Sequence, residues 1–105
     1  MTDSNISHDE INEAIVWALT NGSPKGAPIV SKENMANHYG PERADALLGE
    51  IRPLLEELMG VTVHWRTQSW QEAGDYARDT MRDRHPYLSD EAARRLRGYF
   101  LYQTR

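Results

Sequence analysis

The chain contains no cysteine. Disulfides, a thiol nucleophile and a cysteine-ligated zinc site are therefore excluded. Lysine is scarce as well: Lys25 and Lys32 are the only two, and every other basic residue is arginine. That bias reads as the composition of a GC-rich, bacterial genome rather than as mechanism. No apolar run is longer than a few residues, so nothing in the chain can span a membrane. The segment Met1-Thr2-Asp3-Ser4-Asn5 has neither a basic stretch nor an apolar core. No secretory signal is expected from it, and the cytoplasm is the expected location.

What is present suits one globular domain. A chain of 105 residues can bury a single core, and 39% apolar residues is too many for general disorder. Charge is uneven. Residues 1–60 hold ten acids against four bases, a net of −6, while residues 61–105 hold six against eight, a net of +2. The two ends can therefore favour different contacts.

Residues 1–5 are polar and expected to be disordered. Ser7 followed by Glu10 forms a capping box, and Ile6 with Ile11 a hydrophobic staple. Ile11, Ala14, Ile15, Ala18 and Leu19 then share one helical face, and Gly22 is expected to stop the helix in the left-handed conformation. Gly/Pro content makes residues 22–28 a loop, and Ile29-Val30 a very short strand. Ser31 caps a second helix ending at Tyr39, with Met35, Ala36 and Tyr39 inward. Gly40 closes it and Pro41 opens the next.

Ala44, Leu47, Leu48, Ile51, Leu55 and Leu58 give the strongest helical periodicity in the chain. Pro53 interrupts that helix, which predicts a bend or two helices end to end. Val61-Thr62-Val63-His64-Trp65-Arg66 alternates with period two and reads as a strand, with residues 28–31 as its partner. Ser69 and Glu72 form a second capping box. Trp70, Ala73, Ala77, Thr80 and Met81 face inward on a fourth helix that His85-Pro86 stops. Ser89 caps a fifth, whose apolar face is Ala92, Ala93, Leu96 and Phe100.

Helix, short strand, helix, turn, long helix, strand is the element order of a winged helix. Met35-Ala36, three residues and then Gly40 resembles the helix–turn–helix pattern over residues 32–52. It departs at Pro41 and at Gly49, where that pattern places apolar residues. The fold expected is mainly α: a single domain over residues 6–105 of about five helices with a short two-stranded β element, loosely winged-helix-like. Charge opposes DNA reading through this unit. Residues 41–59 carry two bases against five acids, and Arg43 is the one base at the helix start, where base edges would be met.

A nucleic-acid contact is better placed at Arg94, Arg95 and Arg97, interleaved with Tyr87, Tyr99, Phe100 and Tyr102 as stacking with single strands requires. The competing account is local pairing: Asp75–Arg78, Asp79–Arg82, Asp90–Arg94 and Glu91–Arg95 all lie three or four residues apart.

The strongest positive signal is Tyr99-Phe100-Leu101-Tyr102. Four consecutive large residues point to every side of a helix, so one side can enter a core and another must be covered by something else. With Arg95 they form a candidate partner-binding surface of the composition that dominates protein–protein contacts.

Catalytic chemistry has little support. No two of His8, His38, His64 and His85 sit at helical ligand spacing, so no metal site is expected. The serines are better used as caps than as nucleophiles, and no phosphate-binding glycine loop occurs. The sequence therefore points first to a protein-binding or regulatory module that works without a cofactor and takes another protein or itself as partner. Nucleic-acid binding comes second and an enzyme third.

Overall fold

Four serines start four helices. In the computed structural model, which describes residues 6–105, α1 spans His8–Asn21, α2 Lys32–Tyr39, α3 Pro41–Met59, α4 Trp70–Arg84 and α5 Asp90–Thr104. Ser7, Ser31, Ser69 and Ser89 each accept, on the side-chain oxygen, the backbone N–H three residues on. At Ser7 and Ser69 the glutamate at that third position accepts the serine's own N–H, completing both capping boxes. α3 starts differently. Gly40 has φ +90°, a conformation glycine tolerates and other residues resist, and its N–H closes α2 on the carbonyl of Ala36 at 2.8 Å. Pro41 then opens α3, where a missing N–H costs nothing. Residues 1–5, expected to be disordered, lie outside the described residues.

The helices stack in two layers, and the described chain measures 44 × 31 × 20 Å, the short axis being about two helix diameters. α2 packs against α3, α4 and α5 form an antiparallel pair, and α1 packs against α5 and α3. One apolar cluster joins all five helices. Ile11, Ile15 and Leu19 come from α1, Met35 from α2, Leu47, Ile51 and Leu58 from α3, Met81 from α4, and Leu96 and Phe100 from α5. No helix among the described residues is long and apolar enough to cross a membrane.

The α4–α5 pair is close because small residues line the contact. Ala73, Gly74 and Ala77 are buried, and a Cβ on Gly74 would stand 2.8 Å from Leu101 Cδ2. Gly74 was not among the inward residues expected on α4. Trp70, which was, is 42% exposed. It occupies the first position of α4, and its indole reaches along the end of α5 to donate to Thr104 Oγ1 at 3.1 Å.

The expected β element is not formed. Among the described residues there is no strand, and neither Ile29-Val30 nor Val61–Arg66 enters a ladder. The alternation at 61–64 is real as burial. Val61 is buried, Val63 packs on the core, and Thr62 and His64 are exposed. It belongs to a linker draped over the core, whose end is a turn: the carbonyl of His64 accepts from Thr67 and Gln68, and its N–H donates to Gln68 Oε1. Without a wing, the winged-helix likeness fails with it.

Two glycine and proline expectations change. Gly22 has φ −80°, so it does not end α1 in the left-handed region. It is needed for space, since a Cβ there would overlap the carbonyl oxygen of Ile29, where the linker crosses the helix end. Pro53 does not split its helix, and α3 runs unbroken over 19 residues. Pro53 and Gly49 are both exposed, so the Gly49 carbonyl, which loses its helical donor, can turn to water.

Candidate functional site

The four consecutive large residues of α5 go to four different places. Phe100 is 2% exposed and belongs to the core. Leu101 lies half-buried on Gly74. Tyr102 carries the guanidinium of Arg105 above its ring, 4.0 Å from the centroid. Tyr99 is half-buried and lines the wall of an open groove of about 740 Å³.

That groove is built from three elements. Its lining combines Ile29 and Val30 of the α1–α2 linker, Arg52, Leu55, Glu56 and Met59 of α3 with Gly60, and Tyr99 and Gln103 of α5. Met59, one of its lining residues, is 36% exposed. Trp65, 51% exposed, lies outside that lining and stacks nearly parallel to the core residue Phe100 with ring centroids 6.4 Å apart. A second depression of about 470 Å³ continues along α3 past Arg52, lined by Lys32, Asp45, Leu48, Gly49 and Pro53.

Most arginines are paired within the chain; Arg52, Arg66 and Arg105 are not in any ion pair among the described residues. Arg95 and Arg94 both pair with Glu91, Arg97 pairs with Asp75 at 2.7 Å, and Arg43 pairs with Glu10 of α1. Arg78, Arg82 and Arg84 bind Asp75 and Asp79, Asp90, and Glu57 respectively. Arg52 and Glu56 have no ion-pair partner among the described residues, although they lie four apart on α3. With the base first, that spacing has the weaker intrahelical orientation. Arg94, Arg95 and Arg97 do border a pocket of about 340 Å³ with Gly26 and Pro28. The carboxylates of Glu91 and Asp75 already answer these three cations.

The histidines are dispersed among separate contacts. His8 stacks on Tyr87 with centroids 3.9 Å apart, and His38 on Trp17 at 4.1 Å. His85 Nε2 lies 2.8 Å from Glu57 Oε1. Hydrogen bonding from His85, then from Arg84, holds the Glu57 carboxyl below the ordinary glutamate range despite partial burial. Burial pushes the hydroxyls of Tyr39 and Tyr87 up, with Glu13 adding to the first and Glu50 and Glu57 to the second. Among the described residues no group of three or more His, Asp or Glu side chains is placed to hold a metal ion.

The sequence led to Tyr99 but not to Met59, Arg52 or Glu56. A signal for α3 existed in its polar positions. Gly49, Arg52, Glu56 and Met59 follow one another at intervals of three, four and three, which places them in one line on the helix surface. Comparisons with protein-family models, with curated proteins and with solved structures give no match for this chain.

Proposed function

We propose that this chain is a protein-binding module of the bacterial cytoplasm that engages its partner through the groove between α3 and the end of α5. One observation carries the reading. Met59 and Tyr99 line an open groove with Ile29, Val30 and Leu55, and its two charged lining residues, Arg52 and Glu56, have no ion-pair partner among the described residues. Seven of the other nine arginines are matched to carboxylates of the same molecule, Arg66 and Arg105 being the exceptions. Aromatic and methionine side chains around a groove are the groups that supply most binding energy at protein interfaces. Unmatched charges in its lining supply register. Tyr99 belongs to the surface the sequence nominated. Phe100, nominated with it, does not line the groove: it lies in the core beneath Trp65.

The test uses a photo-crosslinking amino acid in place of Tyr99 or of Met59, with a control at Asp79 on α4, in extract of the source cells. The expected result is a discrete protein adduct, a second copy of the chain included, from positions 59 and 99 and none from 79. Equal labelling from all three positions, or none from any, would refute the assignment.

A further inference from the structure

We infer that the partner in this groove is a second copy of the same chain, docked by antiparallel pairing of the two α3 helices. The inference rests on the protein-binding reading above and names the occupant. Its basis is a self-complementary line on α3.

Gly49, Arg52, Glu56 and Met59 are all exposed, and their intervals of three, four and three are those of a two-helix seam. When identical helices meet around a two-fold axis, each contact between residues i and j occurs twice, with the roles exchanged. A two-fold axis crossing the exposed face midway between Arg52 and Glu56 places Arg52 opposite Glu56 of the second copy. By symmetry Glu56 then faces Arg52 of the second copy. The same axis places Gly49 opposite Met59 of the second copy, and Met59 opposite its Gly49. One register therefore satisfies all four positions: two reciprocal ion pairs flanked by two reciprocal knob-and-dent contacts.

Each half of that match is present in the single chain. Arg52 and Glu56 are charged, exposed and without an ion pair among the described residues, so they can cross to another molecule. Gly49 has no atom within 4 Å of where a Cβ would stand, and it lies in the depression of about 470 Å³. Met59 projects as a flexible side chain able to fit such a dent. Arg52 borders both depressions, which makes the seam continuous along α3. Two neighbouring registers are disfavoured by charge: aligning Arg52 with Arg52 of the second copy, or Glu56 with Glu56, opposes identical charges across the axis.

Sedimentation velocity of the full chain over a micromolar-to-millimolar series tests this. The expected result is concentration-dependent dimerisation. Arg52→Glu and Glu56→Arg, each alone, place like charges at both two-fold contacts and should weaken association by roughly tenfold or more. The double variant R52E/E56R rebuilds both pairs with signs exchanged and should return association to near the wild-type value. Neither residue has an ion pair among the described residues, so helicity by circular dichroism should be unchanged in all three. Wild-type chain that stays monomeric throughout overturns the inference. So does a dimer insensitive to the single reversals, or one that the double swap fails to restore. The protein-binding reading fails separately, if crosslinks from positions 59 and 99 are also absent.

Discussion

Asn12 Oδ1 on α1 accepts the backbone N–H of Ser89 at 3.0 Å, across 77 residues of chain. The same amide donates from Nδ2 to the carbonyl of Tyr87 at 2.9 Å. One side chain thus grips the α4–α5 turn on both sides of Leu88, which is buried. The carbonyl and the N–H it binds are partly shielded from water, so each depends on the amide for its hydrogen bond. Asn12→Ala should cost about 1–3 kcal/mol in urea unfolding, with the denaturant slope unchanged. A cost near zero would show that water replaces the amide fully.

Gly22 and Gly98 should respond oppositely to alanine. At Gly22 the new methyl meets the Ile29 backbone, which cannot yield without moving the linker. Destabilisation of about 2 kcal/mol or more is expected. At Gly98, inside α5, nothing lies within 4 Å of the new atom. There alanine should add about 0.5–1 kcal/mol through helix propensity alone. Urea midpoints of the two variants, compared with wild type, decide both signs.

Pro53→Ala restores a backbone N–H opposite the Gly49 carbonyl within α3. Because Pro53 lies on the exposed face, the change leaves the core untouched. A gain of about 1–3 kcal/mol in unfolding free energy is the expected outcome. An equal loss would mean that the core requires the backbone shape proline imposes.

Glu57 joins α3 to the end of α4 through His85 and Arg84. Its carboxyl titrates lower in the folded chain than when unfolded. The stability it contributes is therefore present at pH above about 4.5, its ordinary value, and is lost as pH falls through the lowered one. Carbon-detected NMR titration should place its midpoint below that of a free glutamate. His85→Ala should move the midpoint back upward, by more than Arg84→Ala does. An unchanged midpoint in His85→Ala would remove the hydrogen bond as the cause.

Tyr39 and Tyr87 should ionise late. Their folded-state values lie above the ordinary 10.0, so the stability tied to their neutral form is complete below that pH and is lost as pH rises through the raised values. Tyrosinate absorbance during alkaline titration should show a late component. Tyr39→Phe and Tyr87→Phe should each shrink it.

The serine caps were readable because capping is local: a hydroxyl and an N–H three residues on need no knowledge of the rest of the chain. The inward faces of α1, α3 and α5 were readable for a related reason, since helical period and burial coincide there. The strand at Val61–Arg66 was misread because alternation reports which side chains are buried, not whether the backbone has a partner. Gly22 was misread because its role is set by Ile29, a contact that no local pattern encodes. Trp70 looked like core by type, yet the first position of α4 directs its ring along the end of α5. The groove was half-visible. Tyr99 stood out by size, whereas Arg52 and Glu56 look like any solvated helix face in sequence, because only the fold shows that they line a groove without pairing to a neighbouring element.

The docking of α1 against α5 joins the first helix made to the last. During synthesis the apolar face of Ile11, Ile15 and Leu19 emerges first, and its α5 partners, Leu96 and Phe100, emerge near the end of the chain. At ordinary elongation rates of about 5–20 residues per second, that face waits on the order of ten seconds for its cover. The α2–α3 pair can close within that interval and shelter part of α1. The nascent α1 face stays without its α5 cover until Leu96 and Phe100 have been made, which makes it the natural target for a holding chaperone.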